Sequence, residues 1–283
     1  MDGSPGSLTV ALISDVFVDA ADHARLVTRL EAAKGMGAEL AVLPEIPLDP
    51  WSPATRAMRD EDAEPPGGAR HQVLAEAARQ VGIGLVGGAI VRDPRDGQRR
   101  NTALTFDATG RLIDAYAKVH LPEEPGFWET SHYRPGERPP VVIGSFGLPI
   151  GVQICSDINR PEGCHLLGAL GAEVIVAPRA SERDTYDRWR VVFQANALTS
   201  ATYVLSVNRP SPEHGVPLGG PSIAVAPDGE VILETTETIA VVRLEHAVIA
   251  EARLAYPGYL PVRSDIYAAG WSTIASSAEE GAA

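Results

Sequence analysis

The chain has 283 residues, 45% of them hydrophobic, which is ample for a buried core in one large domain or two small ones. Its 37 acidic and 24 basic side chains give a net charge of −13, which would repel phosphate backbones, so we expect no nucleic-acid partner. No stretch approaches the roughly 18 consecutive apolar residues of a membrane span, and the N-terminus lacks the features of a signal peptide. We therefore expect a cytoplasmic protein without a membrane partner. Two cysteines, Cys155 and Cys164, are too few for a disulfide scaffold and fit a reducing compartment.

Strand-like and helix-like segments alternate along the chain, which predicts an α/β layered domain. In the first half, strands are predicted over residues 10–13, 40–43 and 83–91, and helices over residues 22–34 and 69–81. Between them, residues 51–68 form a polar, proline-rich loop. A hairpin follows, with its turn at residues 107–110 and its second strand closed by Lys118.

The second half of the chain continues the same alternation. Its predicted elements are helices over residues 162–170 and 186–201, strands over 174–177 and 203–207, and a hairpin of 222–226 with 231–233. No repeat, low-complexity tract or linker divides the chain, so we interpret residues 1–283 as a single domain with a core from about 8 to 268. Residues 272–283 are small and polar, and we expect them to form a mobile tail.

Three apolar runs end on side chains whose chemistry is complementary. They lead to Glu45, to Lys118 and, through residues 148–154, to Cys155 in a polar turn. A carboxylate can take the proton of a thiol as general base, and an ammonium can stabilise the oxyanion that forms when the thiolate attacks an amide. Each residue alone is explained by an ordinary structural role, because most cysteines on apolar strands are small core residues and most charged residues at strand ends are solvated. The three together favour an active site, whereas Cys164 is expected to pack on a helix.

The contexts of these three residues resemble the carbon-nitrogen hydrolase (nitrilase) superfamily. Its LPE, KxHLP and CxDxxxPE motifs correspond to residues 43–45, 118–122 and 155–162, and the resemblance covers most of the chain. It implies a single-domain αββα four-layer sandwich, a Glu-Lys-Cys triad, no cofactor, and assembly into a homodimer or higher homo-oligomer. No metal site is expected either, since the seven histidines show no metal-ligand spacing.

The same resemblance extends to further site residues. Glu129 matches a second active-site glutamate that orients the lysine or the substrate amide, and the backbone N–H of Ser156 matches the second oxyanion donor. Ser156 also stands where many nitrilases have tryptophan, which favours an amide or N-carbamoyl substrate over a nitrile. Arg160 and Arg179 are candidate anchors for a substrate carboxylate, although either could equally be a structural ion-pair partner.

The predicted function is hydrolysis of a non-peptide C–N bond in a small linear amide or N-carbamoyl compound, which places the chain in the amidase or N-carbamoyl amidohydrolase-like branch. Ammonia would be released through a thioester on Cys155. The alternatives are a nitrilase or an acyl-transferring relative on the same scaffold, and a non-catalytic binding or scaffold protein.

Overall fold

The computed structural model describes residues 6–280 and the side chains of residues 6–274. The strands are β1 (Ser7–Ile13), β2 (Leu40–Val42), β3 (Gly84–Arg92), β4 (Arg99–Phe106), β5 (Leu112–Ala117), β6 (Glu123–Glu124), β7 (Phe127–Trp128), β8 (Ile150–Val152), β9 (Val174–Arg179), β10 (Tyr203–Asn208), β11 (Ser222–Val225), β12 (Val231–Thr235) and β13 (Ile239–Glu245). The helices are α1 (His23–Gly35), α2 (Ala69–Val81), α3 (Pro161–Ala169), α4 (Tyr186–Ser200), α5 (His246–Leu254) and α6 (Ser264–Glu280).

Two sheets organise the molecule. One contains six strands in the order β13-β1-β2-β3-β4-β5, and the other contains five in the order β12-β11-β10-β9-β8. Strands β1, β2 and β3 run parallel, as do β8, β9 and β10, and the remaining neighbours are antiparallel. Strand β5 therefore points the same way as β2, so the residues that follow these two strands lie at the same edge of the first sheet.

Side chains alternate along the strands and build a four-layer core. Val10 of β1 and Val176 of β9 belong to one buried cluster between the two sheets. Ala11 points the other way, into a second cluster formed with α1 and α2. Ile175 and Val204 face α3 and α4 on the outer side of the second sheet. Because each strand is apolar on both faces, the sheets stack on each other and each is covered by a helix pair. The predicted αββα sandwich and single domain are confirmed.

The C-terminal elements differ most from the sequence prediction. Strand β13 and helix α5 lie in a region for which we predicted no element, and α6 runs through much of the segment for which we predicted a mobile tail. The side chains of residues 261–274 are all exposed. The mobility of this segment stays a prediction, and residues 281–283 lie outside the described residues. Among residues 6–280, no helix is both long enough and apolar enough to cross a membrane.

Candidate active site

Glu45 follows β2 and its carboxylate is fully buried. One oxygen, Oε1, accepts hydrogen bonds from Lys118 Nζ at 2.7 Å and from Asn101 Nδ2 at 2.7 Å. The other, Oε2, accepts the backbone N–H of Ala180 at 3.0 Å. Three donors on three different strands or strand ends therefore fix both oxygens of the predicted base.

Lys118 lies directly after β5 and is also fully buried. Its Nζ donates to Glu45 at 2.7 Å and to Glu129 at 2.6 Å. Burial alone would lower the pKa of Lys118, but the two carboxylates outweigh burial and raise that pKa well above its ordinary value. The side chain is therefore a permanent cation in a site of low dielectric, which is the property an oxyanion donor requires.

Glu129 begins a 3₁₀ turn over Glu129–Ser131 that follows the short β6–β7 ladder. Its Oε1 accepts the hydrogen bond from Lys118, whereas its buried Oε2 has no hydrogen-bond partner among the described residues. Burial raises the pKa of Glu129 to about 8, against the opposing effect of Lys118. The carboxyl group therefore ionises less readily than an exposed glutamate, and its Oε2 is free to accept a hydrogen bond from a ligand or, when protonated, to donate one.

Cys155 stands at the first position of a 3₁₀ turn, Cys155–Asn159, shortly after β8. Its thiol is 3% exposed and donates to the carbonyl oxygen of Ala180 at 3.4 Å. Burial and the nearby Glu45 raise the pKa of the thiol well above its ordinary value, although Lys118 acts in the opposite direction. The resting group is therefore a thiol rather than a thiolate, and it needs a base at the moment of attack.

Two non-glycine residues of the site have left-handed backbone conformations. Cys155 has φ 47° and Ile46, immediately after Glu45, has φ 40°, which is rare for a β-branched residue. Arg209 restrains the backbone at Ile46, because its Nη1 donates to the carbonyl oxygens of Glu45 at 2.8 Å and Ile46 at 3.0 Å. The fully buried guanidinium is in turn paired with Glu213. Such strain persists only where the surroundings enforce it, and it is concentrated at functional sites.

Asp157 connects the strand end that carries the thiol to the strand end that carries the lysine. Its Oδ1 accepts the backbone N–H groups of Val119 at 3.1 Å and His120 at 2.8 Å. Its Oδ2 accepts the hydroxyl of Tyr116 at 2.9 Å and the backbone N–H of Ile154 at 3.2 Å. The sequence marked Asp157 as a motif position without assigning it this role.

Of the three predicted substrate-binding residues, two border one surface depression and the third is buried elsewhere. Ser156 is half-buried, its hydroxyl donates to the carbonyl of His120, and its N–H lies in the first turn of a 3₁₀ helix, where backbone donors have no intrahelical partner. Arg160 is exposed and borders the same surface depression as Ser156, of about 540 Å³.

Arg179 is fully buried at the end of β9. It donates to Ser181 Oγ at 3.1 Å, to Ser206 Oγ at 2.9 Å and to the carbonyl of Pro221, and it stacks over Phe193 of α4. Burial lowers the pKa of Arg179 to about 10. The guanidinium thus serves the packing of the sheet against α4, and its role as a carboxylate anchor stays a prediction, as does that of Arg160.

The walls around these residues are apolar and close. Ile46, Trp51, Phe127, Ala180 and Val216 belong to one buried cluster. Because Ala180 contacts both Glu45 and Cys155, this cluster adjoins the reacting groups. Apolar side chains beside a small set of polar groups suit a small substrate whose orientation is set by a few hydrogen bonds. Cys164, in contrast, is a buried residue of α3 and belongs to the outer cluster, which agrees with the prediction that it packs on a helix.

Comparison with known proteins agrees with this architecture. The carbon-nitrogen hydrolase family model matches residues 15–254. Omega-amidase NIT3 of Saccharomyces cerevisiae is 31% identical over 81% of this chain and 82% of the relative. The chloroplastic omega-amidase of Arabidopsis thaliana is 30% identical over 84% of this chain and 67% of the relative. The crystal structure of S. cerevisiae Nit3, a member of the nitrilase superfamily, superposes with a TM-score of 0.76 at 28% identity and covers 91% of this chain and 96% of that one. The chain therefore belongs to the carbon-nitrogen hydrolase family of the nitrilase superfamily and is an amidohydrolase.

Proposed function

We propose that this enzyme hydrolyses the terminal carboxamide of a small linear substrate and releases ammonia, with N-carbamoyl compounds as the other substrate class that the same chemistry serves. The observation that carries the proposal is the position of Lys118 Nζ between Glu45 and Glu129, at 2.7 Å and 2.6 Å. Cys155 is joined to the same group of residues, because its thiol and the Glu45 carboxylate both bind Ala180. A base, a cation and a nucleophile thus share one enclosed site.

In the acylation step, Glu45 takes the proton of Cys155 while the sulfur attacks the amide carbon. The electrons of the C=O bond move to oxygen, where the Lys118 ammonium and the Ser156 N–H stabilise the negative charge. The tetrahedral intermediate then collapses: the C–N bond breaks, the proton held by Glu45 passes to nitrogen, and ammonia leaves. The acyl group remains on sulfur as a thioester.

In the deacylation step, Glu45 removes a proton from water, and the resulting hydroxide attacks the thioester carbon. Collapse of the second intermediate breaks the C–S bond, returns the proton from Glu45 to the sulfur of Cys155 and releases a carboxylic acid. Glu129 keeps Lys118 in position during both steps and, when protonated, can donate from its unpartnered Oε2 to the substrate.

The preference for an amide is supported by two observations. The named relatives from yeast and Arabidopsis are omega-amidases. The buried apolar cluster that includes Ala180, which binds Cys155, also favours a small, apolar acyl group. For a substrate with a distal carboxylate, Arg160 and Arg179 remain the proposed anchors.

Ammonia release from short carboxamides, ω-amides, N-carbamoyl amino acids and nitriles tests the proposal. We expect release from carboxamides that is abolished by Cys155→Ala and retained by Cys164→Ala, since Cys164 lies outside the site. Release from nitriles alone would indicate a nitrilase. Acyl transfer to an added amine in preference to water would indicate an acyltransferase. A folded protein that turns over none of these compounds would contradict the proposal and favour a non-catalytic role.

We further propose that the protein is a cytoplasmic homodimer or higher homo-oligomer that acts on a small molecule and has no nucleic-acid or membrane partner. The net charge of −13 supports the exclusion of nucleic acid. Exposed apolar side chains support self-association, because large apolar patches mark interfaces. Those of the C-terminal segment include Leu260, Val262, Tyr267, Trp271 and Ile274. Light scattering that gives a monomer at micromolar concentration would contradict self-association.

A further inference from the structure

Asn101 of β4 contacts both the base and the oxyanion donor of the proposed reaction. Its side chain is buried, and its Nδ2 donates to Glu45 Oε1 at 2.7 Å. Its backbone carbonyl oxygen accepts the backbone N–H of Lys118 at 2.9 Å. Asn101 therefore restrains Glu45 through its side chain and Lys118 through its main chain, although neither step of the proposed reaction includes it.

The hydrogen-bond donors around Glu45 are distributed unequally between its two carboxylate oxygens. An ionised carboxylate has about four positions at which it accepts a hydrogen bond, two on each oxygen. On Oε1 both positions are used, by Lys118 Nζ and by Asn101 Nδ2, each at 2.7 Å. On Oε2 the backbone N–H of Ala180 uses one position, at 3.0 Å, and no second donor lies there within residues 6–274. The position that is free to take a proton therefore lies on Oε2.

Oε2 is also the oxygen that is connected to the nucleophile. Ala180 donates its N–H to Oε2 of Glu45, and its carbonyl oxygen accepts the thiol of Cys155 at 3.4 Å. Oε1, in contrast, is joined to Lys118, whose Nζ also donates to Glu129 at 2.6 Å. The free acceptor position and the thiol are thus held beside the same peptide segment, whereas Oε1 is committed to the lysine.

We propose that Asn101 is a positioning residue that occupies Oε1 of Glu45, so that Oε2 is the oxygen that takes the proton of Cys155. The proposal rests on the hydrolytic mechanism given above. During attack, the S–H proton passes to Oε2, the electron pair left on sulfur forms the bond to the amide carbon, and the C=O pair moves to oxygen. Without the Asn101 amide, one acceptor position on Oε1 opens and the carboxylate loses a restraint on its orientation.

Alkylation of Cys155 by iodoacetamide tests this role without depending on amide hydrolysis. The thiol gives up its proton as sulfur displaces iodide from carbon, so the rate reports how well Glu45 takes that proton. A Cys164→Ala chain has a single thiol, and intact-protein mass spectrometry follows its alkylation. In this chain Asn101→Leu removes the amide at nearly constant volume. We expect it to lower the alkylation rate and kcat by about tenfold each and to change KM by less than about twofold.

A double-variant comparison separates this role from general support of the fold. If Asn101 acts through Glu45, Asn101→Leu should have no further effect on alkylation in a Glu45→Gln chain, because the base is already absent. Gln194→Met is the matched control, since it removes an amide that donates to the Gly229 carbonyl at 3.0 Å, outside the site. The control should leave the alkylation rate and kcat unchanged.

Two outcomes would overturn the role of Asn101. One is an equal fall in alkylation with and without the Glu45 carboxylate, which would indicate a structural role alone. The other is a wild-type alkylation rate and kcat in Asn101→Leu. Asn101→Ala, which adds no volume, takes the place of the leucine variant in both tests if circular dichroism shows that the latter is unfolded. If alkylation follows the prediction but wild type releases no ammonia from any amide, the proposed function fails and the positioning role stands.

Discussion

Asp157 and His120 are joined twice, because Oδ1 of Asp157 accepts the backbone N–H of His120 at 2.8 Å and lies 3.0 Å from its Nδ1. Asp157 is two residues after Cys155 and His120 is two residues after Lys118. The strand end that presents the thiol and the strand end that presents the ammonium are therefore fixed to each other through one buried carboxylate. The two groups belong to different sheets, and this contact sets their separation.

Asp157→Asn should impair both folding and turnover. An amide N–H₂ in place of one carboxylate oxygen would face donors such as the backbone N–H of Val119 or the hydroxyl of Tyr116 and leave them unpaired. We expect a loss of about 2–4 kcal/mol in the free energy of unfolding and at least a tenfold lower kcat. Urea denaturation and ammonia release measure the two effects. Asp187→Asn, on the exposed face of α4, is the matched control, and an equally small effect of both variants would refute the positioning role.

Lys118→Met should abolish activity and destabilise the fold, since it leaves the carboxyl groups of Glu45 and Glu129 buried without their shared cation. The expected cost is about 3–5 kcal/mol of stability, with a fall in kcat of at least about 100-fold. The double variant Lys118→Met/Glu129→Gln removes one of the two buried carboxyl groups. It should recover part of the stability and none of the activity, which separates the structural from the chemical role of Lys118. Substantial turnover by either variant would rule out Lys118 as the oxyanion donor.

Stability should fall with rising pH because of Glu129. Burial raises the pKa of Glu129 from 4.5 to about 8, so the folded state binds more protons than the unfolded state between these values. The stabilising contribution is fully present below pH 4.5 and is lost as the pH rises through 8, with a slope of at most about 1.4 kcal/mol per pH unit. Glu129→Gln cannot ionise and should remove this component. Denaturation at pH 5 and pH 8 is the measurement, and identical pH slopes for wild type and variant would exclude the raised pKa.

Arg209→Met should release the strained backbone at Ile46. The substitution removes the donors to the carbonyl oxygens of Glu45 and Ile46 and leaves Glu213 without its partner. We expect a loss of about 3–5 kcal/mol in stability and a lower kcat, because the predicted base would no longer be held in place. Arg190→Met, which breaks an exposed ion pair, should change stability by no more than about 1 kcal/mol. If the two variants prove equally stable, the restraint on Ile46 lies elsewhere.

Local sequence patterns predicted the helices, strands and motif residues that are determined by neighbouring positions in the chain. Helix α2 spans the predicted residues 69–81, because its apolar spacing and the following Gly82 (φ 68°) define both its face and its end. Glu45, Lys118 and Cys155 could be selected because each stands in a short recognisable context. The contact between Glu45 and Lys118 follows from the shared direction of β2 and β5.

Contacts between residues far apart in the sequence could not be predicted from local patterns. Asn101 binds Glu45 across 56 positions of sequence, and Arg209 binds the Glu45 carbonyl across 164. Neither residue stands in a pattern that indicates its partner. Strand β13 was missed for a similar reason, since it is defined by its pairing with β1 at the other end of the chain. Arg179 lies at the end of β9, as its sequence position indicated, but its contact with Phe193 of α4 could not be predicted from the local pattern.

The central claim is that turnover proceeds through an acyl group on Cys155. Acid-quenched intact-protein mass spectrometry during turnover of the most active carboxamide tests it directly. The account predicts a mass increase equal to the acyl group in wild type and in Cys164→Ala, and none in Cys155→Ala. The increase should disappear when hydroxylamine is added before the quench, because hydroxylamine cleaves thioesters. An adduct that persists in Cys155→Ala, or ammonia release by that variant at the wild-type rate, would contradict the account.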